Sequence, residues 1–322
     1  VYTDPSAGDS RPFVEVVAGI ILAPDQSFLM ASRPPGKVYA GYWEFPGGKV
    51  EPDESPRAAL DRELHEELGI TPTRADPWLV RTYSYEHARV RIRFFRVTRW
   101  EGTPTPREGQ GLSWHPPGPP QLEPMLPANG PVLRALNLPD RYAITGADLV
   151  GEPHALLGIH QAIQKGVTLF QVREKSFSPA RLRQFAAQVI DLAHAAGAKV
   201  LINSDPATAQ ACGADGVHLD AKRLMALTER PGLKLCAASC HTPEELEHAQ
   251  KLNLDFVVWG PIKVTPTHPH QAGRGWKAFA EALVGHDNLP VYAIGGLTPA
   301  DLAEAREYGA QGIAGIRGLA LS

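Results

Sequence analysis

The sequence predicts an α/β protein in two parts, the second of them a closed (β/α)8 barrel. Three observations lead there. At 322 residues the chain is long for one compact domain, so two domains are the natural reading. From residue 142 onward, short apolar strand patterns alternate strictly with helical ones. Eight such β units argue a compact barrel, with an open doubly wound sheet as the alternative. Upstream of residue 138 that alternation is absent. The change of pattern falls near Leu138-Pro139-Asp140, giving domains over 11–138 and 141–322. The proline- and glycine-rich segment 115–131 precedes an apolar helix at 131–137 that belongs with the first domain.

The first part opens on a buried strand at 13–22 and, after the turn at Pro24-Asp25, a second strand at 28–34. Residues 41–48 carry aromatics into Gly47-Gly48. A helix then starts behind Ser55 as N-cap, with Pro56 at its first position, and stops at Gly69. Residues 78–86 and 90–102 form a hairpin. Its second run alternates Val90, Ile92 and Phe94 against Arg91 and Arg93, arginines suited to a solvated sheet face or to steering phosphate. Residues 112–117 form a short strand or turn. The second part has strand patterns at 142–145, 169–174, 199–204, 216–220, 234–239, 256–262, 290–296 and 312–318. Helical patterns at 179–196, 243–252 and 299–308 are among those between them. In such sheets the working residues lie at strand C-termini.

Composition narrows the partners. A net charge of −3 gives no electrostatic case for direct nucleic-acid binding or for an anionic membrane. Cys212, Cys236 and Cys240 show neither a pairing pattern nor zinc spacing, which fits a reduced, cytoplasmic setting. No apolar run is long enough for a transmembrane helix, and no basic-then-apolar leader is visible. His154, His160, His194 and His248 lack ligand spacing and read as surface or structural residues.

The strongest chemical signal is residues 47–70. Glu63, Glu66 and Glu67 fall three and four apart, so one helix face holds three mutually repelling carboxylates. Oxygen-only donors that need neutralising favour Mg2+ or Mn2+. The stretch resembles the Nudix signature, filled without departure by Gly48, Glu54, Arg62, Glu63, Leu64, Glu66, Glu67, Gly69 and Ile70. A solvated acidic helix face would leave that glycine and arginine at fixed offsets unexplained. The resemblance implies an α/β/α sandwich built around this loop and helix, and a small nucleotide substrate. It implies Glu63, Glu66, Glu67 and the Gly48 carbonyl as metal ligands. Arg62 would orient a signature carboxylate, and Glu54 would stand behind the ligands or on a further ion.

Segments 44–49, 99–102, 107–110 and 127–129 resemble the MutT subfamily of these enzymes. That resemblance implies Glu108 as an extra metal ligand or general base, Asn129 on the purine edge, Arg33 on phosphate and Phe45 beside the base. Phe45 as plain core is the alternative. The implied reaction is Mg2+-dependent conversion of 8-oxo-dGTP to 8-oxo-dGMP and pyrophosphate, a nucleotide-pool sanitising step in DNA repair. A broader (d)NTP or nucleotide-sugar pyrophosphatase is the alternative. The chain departs from the subfamily at His87-Ala88, where MutT carries Asp-Arg.

The second part resembles thiamine phosphate synthase and its relative, the thiazole tautomerase TenI. The matching residues are Arg173 and Lys175 in QVREK, Asn203, the run 213–219, Ser239 and His241 in SCHT, Thr265 and Thr267, and Gly295-Gly296. The resemblance implies that these bind a phosphorylated substrate, with backbone N–H groups at Gly295 and Gly296 cradling phosphate, and a homodimer formed through the barrel. Two aspartates hold Mg2+ in the synthase. Their places here are Ser204 and Arg223, and a synthase lysine is His268. A degenerate, non-catalytic phosphate-binding or dimerisation module is therefore expected first, ahead of a tautomerase using His241 or a working synthase.

Overall fold

The computed structural model describes residues 10–265 and 272–321. Thr267 and His268 lie outside them. The chain divides into two compact units, one ending at Leu138 and one beginning at Pro139.

In the first unit, strands β1 (Phe13–Ile21), β2 (Phe28–Ser32), β3 (Trp43–Glu44) and β4 (Gly47–Lys49) precede helix α1 (Pro56–Leu68). Strands β5 (Thr71–Ser84), β6 (Arg89–Glu101) and β7 (Leu112–His115) and helix α2 (Asn129–Leu136) follow. One sheet runs β4-β1-β6-β5 and a smaller one β3-β2-β7. Strand alternation divides the core in two. Val17 and Ile21 of β1 pack with Leu60, Leu64 and Leu68 of α1. Ala18 and Ile20, on the other face, pack with Val132 and Leu133 of α2. The sheet thus lies between two helices, an α/β/α sandwich.

The start of one strand differs from the sequence reading. β5 starts at Thr71 rather than residue 78. Pro72 and Pro77 hide it, because they fall at register shifts on an edge strand, where a missing N–H is tolerated. Arg91 and Arg93 of β6 are half-buried and engaged within the sheet. Glu15 sits opposite Arg91 and accepts from it at 2.8 Å, and the guanidinium groups of Arg89 and Arg91 lie over the Phe13 ring.

The second unit begins with β8 (Arg141–Ile144), α3 (Ala147–Val150), α4 (Glu152–Gln164), β9 (Leu169–Val172), α5 (Pro179–Ala195), β10 (Lys199–Asn203) and α6 (Pro206–Ala211). It continues with β11 (Gly216–Leu219), α7 (Ala221–Ala226), β12 (Leu235–Cys240), α8 (Pro243–Lys251) and β13 (Phe256–Trp259). It ends with α9 (Gly275–Leu283), β14 (Val291–Ile294), a 3-10 turn at Pro299–Asp301, α10 (Leu302–Glu307) and β15 (Gly312–Gly315). β8 to β15 close into a barrel of parallel strands, as the alternation predicts. Tyr142, Phe256 and Tyr292 fill its interior ring against ring, with centroids 5.1–5.7 Å apart. Cys236 and Cys240 are buried on β12 with raised thiol pKa values caused by burial, and all three cysteines are unbridged. Most of these strands end earlier than their apolar patterns, and the leftover residues form the loops at the strand C-termini.

Candidate functional site

In the first unit the signature folds as its residues dictate. The Ser55 side chain accepts from the Ala58 N–H at 3.2 Å, Pro56 opens α1, and Gly69 closes it in the left-handed conformation at φ 69°. Burial of Leu60, Leu64 and Leu68 fixes which face of α1 meets the sheet. Glu63 and Glu67 are thereby held against the Gly47–Lys49 strand, and Glu66 is left mostly exposed. A Cβ on Gly48 would lie 2.1 Å from the Glu63 carboxyl carbon, so any side chain there displaces that carboxylate.

Arg62 organises the acidic face. Its guanidinium donates to both Glu54 oxygens (3.0 and 2.9 Å), to Glu63 at 2.9 Å, to Glu66 at 3.4 Å and to the Lys49 carbonyl at 3.0 Å. The bidentate contact is to Glu54, whose carboxyl is held below the usual range by it. Glu67 accepts from the Gly47 N–H at 3.1 Å. Burial pushes its carboxyl up to about 8, reinforced by the charges of Glu44, Glu108 and Glu63. Burial also raises Glu63, despite Arg62.

Glu108 reaches this cluster because its loop docks on the end of α1. The Arg107 and Gln110 side chains donate to the His65 and Glu67 carbonyls (3.2 and 2.8 Å), and Gln110 accepts from the Glu108 N–H at 2.7 Å. The Arg107 N–H also reaches the Glu67 carbonyl at 3.0 Å, so the loop satisfies a carbonyl that the helix end leaves open. The Glu108 carboxylate meets Lys37 at 2.6 Å. Lys37, Glu44, Arg107 and Gln110 were not found from sequence. Nothing local marks them, although Glu44 lies inside the segment 44–49 and Arg107 and Gln110 inside 107–110.

The donors fit a hard divalent cation, being carboxylates and a backbone carbonyl whose buried members resist ionisation without a counter-charge. Among the described residues, no three His, Cys, Asp or Glu side chains converge closely enough to hold an ion. Arg62 and Lys37 supply the counter-charge instead.

Of the remaining residues, Phe45 and Asn129 meet at a narrow cleft. Phe45 is core, packed on Phe28 and Phe94 at about 6 Å between centroids. It also lines, with Asn129, a cleft of about 40 Å³, room for a water molecule and not for a base. Asn129 is 4% exposed, and its amide is not among the fully buried polar groups left without a partner. Arg33 is committed to Glu44 (2.7 Å) and the Val38 carbonyl (2.7 Å). At the departure from the MutT pattern, the His87 ring joins a cluster with Tyr39 and Tyr85, each 5.7 Å away.

In the barrel, Arg173, Lys175, Asn203 and Ser239 line one cavity of about 1020 Å³ at the strand C-termini, together with His241, Gly295 and Gly296. The Arg173 guanidinium is partly buried, which lowers its pKa, and has no hydrogen-bond partner among the described residues. Gly295 stands at φ 110°, and a Cβ there would meet Pro261 at 2.6 Å. Glu174 is tied down by the Thr145 hydroxyl and by the Ala147 and Asp148 N–H groups.

A polar chain that sequence reasoning missed crosses the barrel interior. Gln171 donates to the Tyr142 oxygen at 3.0 Å, and Tyr142 meets His218 Nδ1 at 3.1 Å. His218 Nε2 meets the Ser239 hydroxyl oxygen at 2.9 Å. With Gln171 donating, the Tyr142 proton goes to Nδ1. His218 then carries its own proton on Nε2 and donates it to Ser239. Burial lowers the His218 pKa to about 3, so the ring is neutral. The signal was available as polar residues at inward positions of otherwise apolar strands.

Comparison with known proteins accounts for both halves. The NUDIX domain model matches residues 12–136, and the thiamine monophosphate synthase model matches residues 141–319. A CTP pyrophosphohydrolase of Escherichia coli (strain K12) is 43% identical over 128 residues, covering 38% of this chain and 90% of the relative. An 8-oxo-dGTP diphosphatase of the same organism is 34% identical over 123 residues, covering 38% of this chain and 95% of the relative. A thiamine-phosphate synthase of Chloroflexus aurantiacus is 35% identical over 176 residues, covering 54% of this chain and 81% of the relative. The chain therefore belongs to the Nudix family through its first unit and to the thiamine monophosphate synthase family through its second.

Proposed function

We propose that the first unit is a nucleoside triphosphate pyrophosphohydrolase that prefers 8-oxo-dGTP, releasing 8-oxo-dGMP and pyrophosphate, and so serves mutation avoidance. The observation that carries the substrate reading is the Asn129 side chain, which lines the cleft beside Phe45. An amide presents both a donor and an acceptor, as the edge of an oxidised guanine requires. Glu63, Glu67 and the Gly48 carbonyl would hold Mg2+ (or Mn2+), with Glu66 as a further ligand. The bound ion would neutralise phosphate oxygens and acidify water. Arg62 holds Glu54 and Glu63 in place. Glu108, steadied by Gln110 and Lys37, takes the proton of the attacking water. The cleft has to open for a base to enter.

A second reading, a pyrophosphatase for pyrimidine or assorted nucleotides, draws on the 43% identity to the CTP enzyme and the narrowness of the cleft. Measuring kcat/KM for 8-oxo-dGTP, dGTP and CTP with Mg2+ separates the two. A clear preference for 8-oxo-dGTP is expected. Equal values for 8-oxo-dGTP and dGTP would sink the sanitising reading. We read the barrel as a phosphate-binding module without synthase activity. Formation of thiamine phosphate from its two phosphorylated precursors would overturn that.

A further inference from the structure

The barrel cavity offers donors where a metal site needs acceptors. Three carboxylates line it, and each is engaged. Asp205 caps α6, accepting from the Thr208 N–H at 2.9 Å and hydroxyl at 2.8 Å, and from the Ser204 hydroxyl at 3.2 Å. Glu174 is held by Thr145, Ala147 and Asp148. Asp220 caps α7 by accepting from the Arg223 N–H at 2.8 Å, and its other oxygen pairs with the Arg223 guanidinium. No lining carboxylate keeps an open pair of oxygens, so the residues present do not fit the Mg2+ that the synthase resemblance implies.

The same cavity carries four cationic side chains, Arg173, Lys175, Arg223 and Arg317. Among the described residues only Arg223 of these has an ion-pair partner, and Asp220 takes just one of its terminal nitrogens. Asp220 thus acts as a tether, fixing the guanidinium at the cavity lip with its remaining donors open. A planar fork held this way suits phosphate oxygens. The position is the one where the synthase places a metal-binding aspartate.

We propose that the barrel binds a diphosphate-bearing ligand without any divalent ion, the Arg223 guanidinium standing where the ion's charge would be. This rests on the phosphate-binding reading of the barrel and adds how charge is neutralised and by which residue.

The test is calorimetric titration of inorganic pyrophosphate into the full chain, in EDTA and then with Mg2+. The signal that Arg173→Ala abolishes is assigned to the barrel. Binding in EDTA is expected. Arg223→Gln should weaken it about 10-fold or more, and Arg223→Lys should retain an intermediate affinity. Thermal melting and nucleotide hydrolysis by the first unit should be unchanged in both variants, since Arg223 is half-exposed on the surface of the second unit. A barrel signal that appears only with Mg2+, or that is the same in Arg223→Gln and wild type, overturns the metal-free inference and leaves phosphate binding standing. No barrel signal under either condition overturns both.

Discussion

At the scale of single residues, the site is defined by atoms that leave no room for alternatives. Gly48 is the sharpest case. Gly48→Ala places a methyl group 2.1 Å from the Glu63 carboxyl carbon. Its kcat is expected to fall about 100-fold or more while the melting temperature shifts by only a few degrees, checked by steady-state hydrolysis and calorimetry. Asn129→Ala is expected to reduce discrimination between 8-oxo-dGTP and dGTP more than it reduces turnover of dGTP, a loss on the order of 10-fold in the kcat/KM ratio. His218 gives a pH prediction. Its folded pKa of about 3 lies below the ordinary 6.5, so the unfolded chain gains a proton that the folded barrel refuses. The stability that His218 contributes is therefore fully present above pH 6.5. It falls by roughly 1 kcal/mol per pH unit as the pH drops from there toward 3. Urea unfolding at pH 7 and pH 5 should show this drop, and His218→Asn should flatten it.

At the scale of elements, α1 was legible almost to the residue, because cap, proline, apolar face and stop are all local. The 105–110 loop was legible only through resemblance. Its docking depends on Arg107 and Gln110 meeting carbonyls of residues about forty positions away, and no periodicity encodes that. The start of β5 was lost for a different reason. Alternation is the sequence signal of a strand, and two prolines at register shifts erase it. The barrel strands were located correctly but drawn too long at most C-termini, where residues such as Arg173, Glu174, Ser204, Asp220 and Gly295 leave the sheet and line the cavity. The loop also carries a prediction. Gln110 is buried and bonds at once to the Glu67 carbonyl and the Glu108 N–H. Gln110→Ala leaves the Glu108 N–H unmatched and the Glu67 carbonyl with the Arg107 N–H alone, at a cost of about 1–3 kcal/mol, and loosens Glu108 from the helix end. Stability and kcat should fall together, whereas Lys37→Ala should lower kcat with little effect on stability.

At the scale of the whole molecule, each unit closes its own core. The sandwich packs its two clusters on either face of one sheet, and the barrel packs another between strands and helices. Two complete cores make the units separable. Residues 1–138 alone are expected to hydrolyse nucleotides with a kcat/KM within about 2-fold of the full chain, measured on the same substrate panel. A larger drop would mean that the barrel contributes to the reaction. No helix among the described residues is long and apolar enough to cross a membrane.

The direction of the proton in the Gln171–Tyr142–His218–Ser239 chain has a consequence for reactivity. A serine attacks only when a base accepts its proton, and here the imidazole points its N–H at the Ser239 oxygen. The hydroxyl is left to give its proton to whatever occupies the cavity. Serine-directed fluorophosphonates should therefore leave Ser239 unlabelled, although a histidine stands 2.9 Å away.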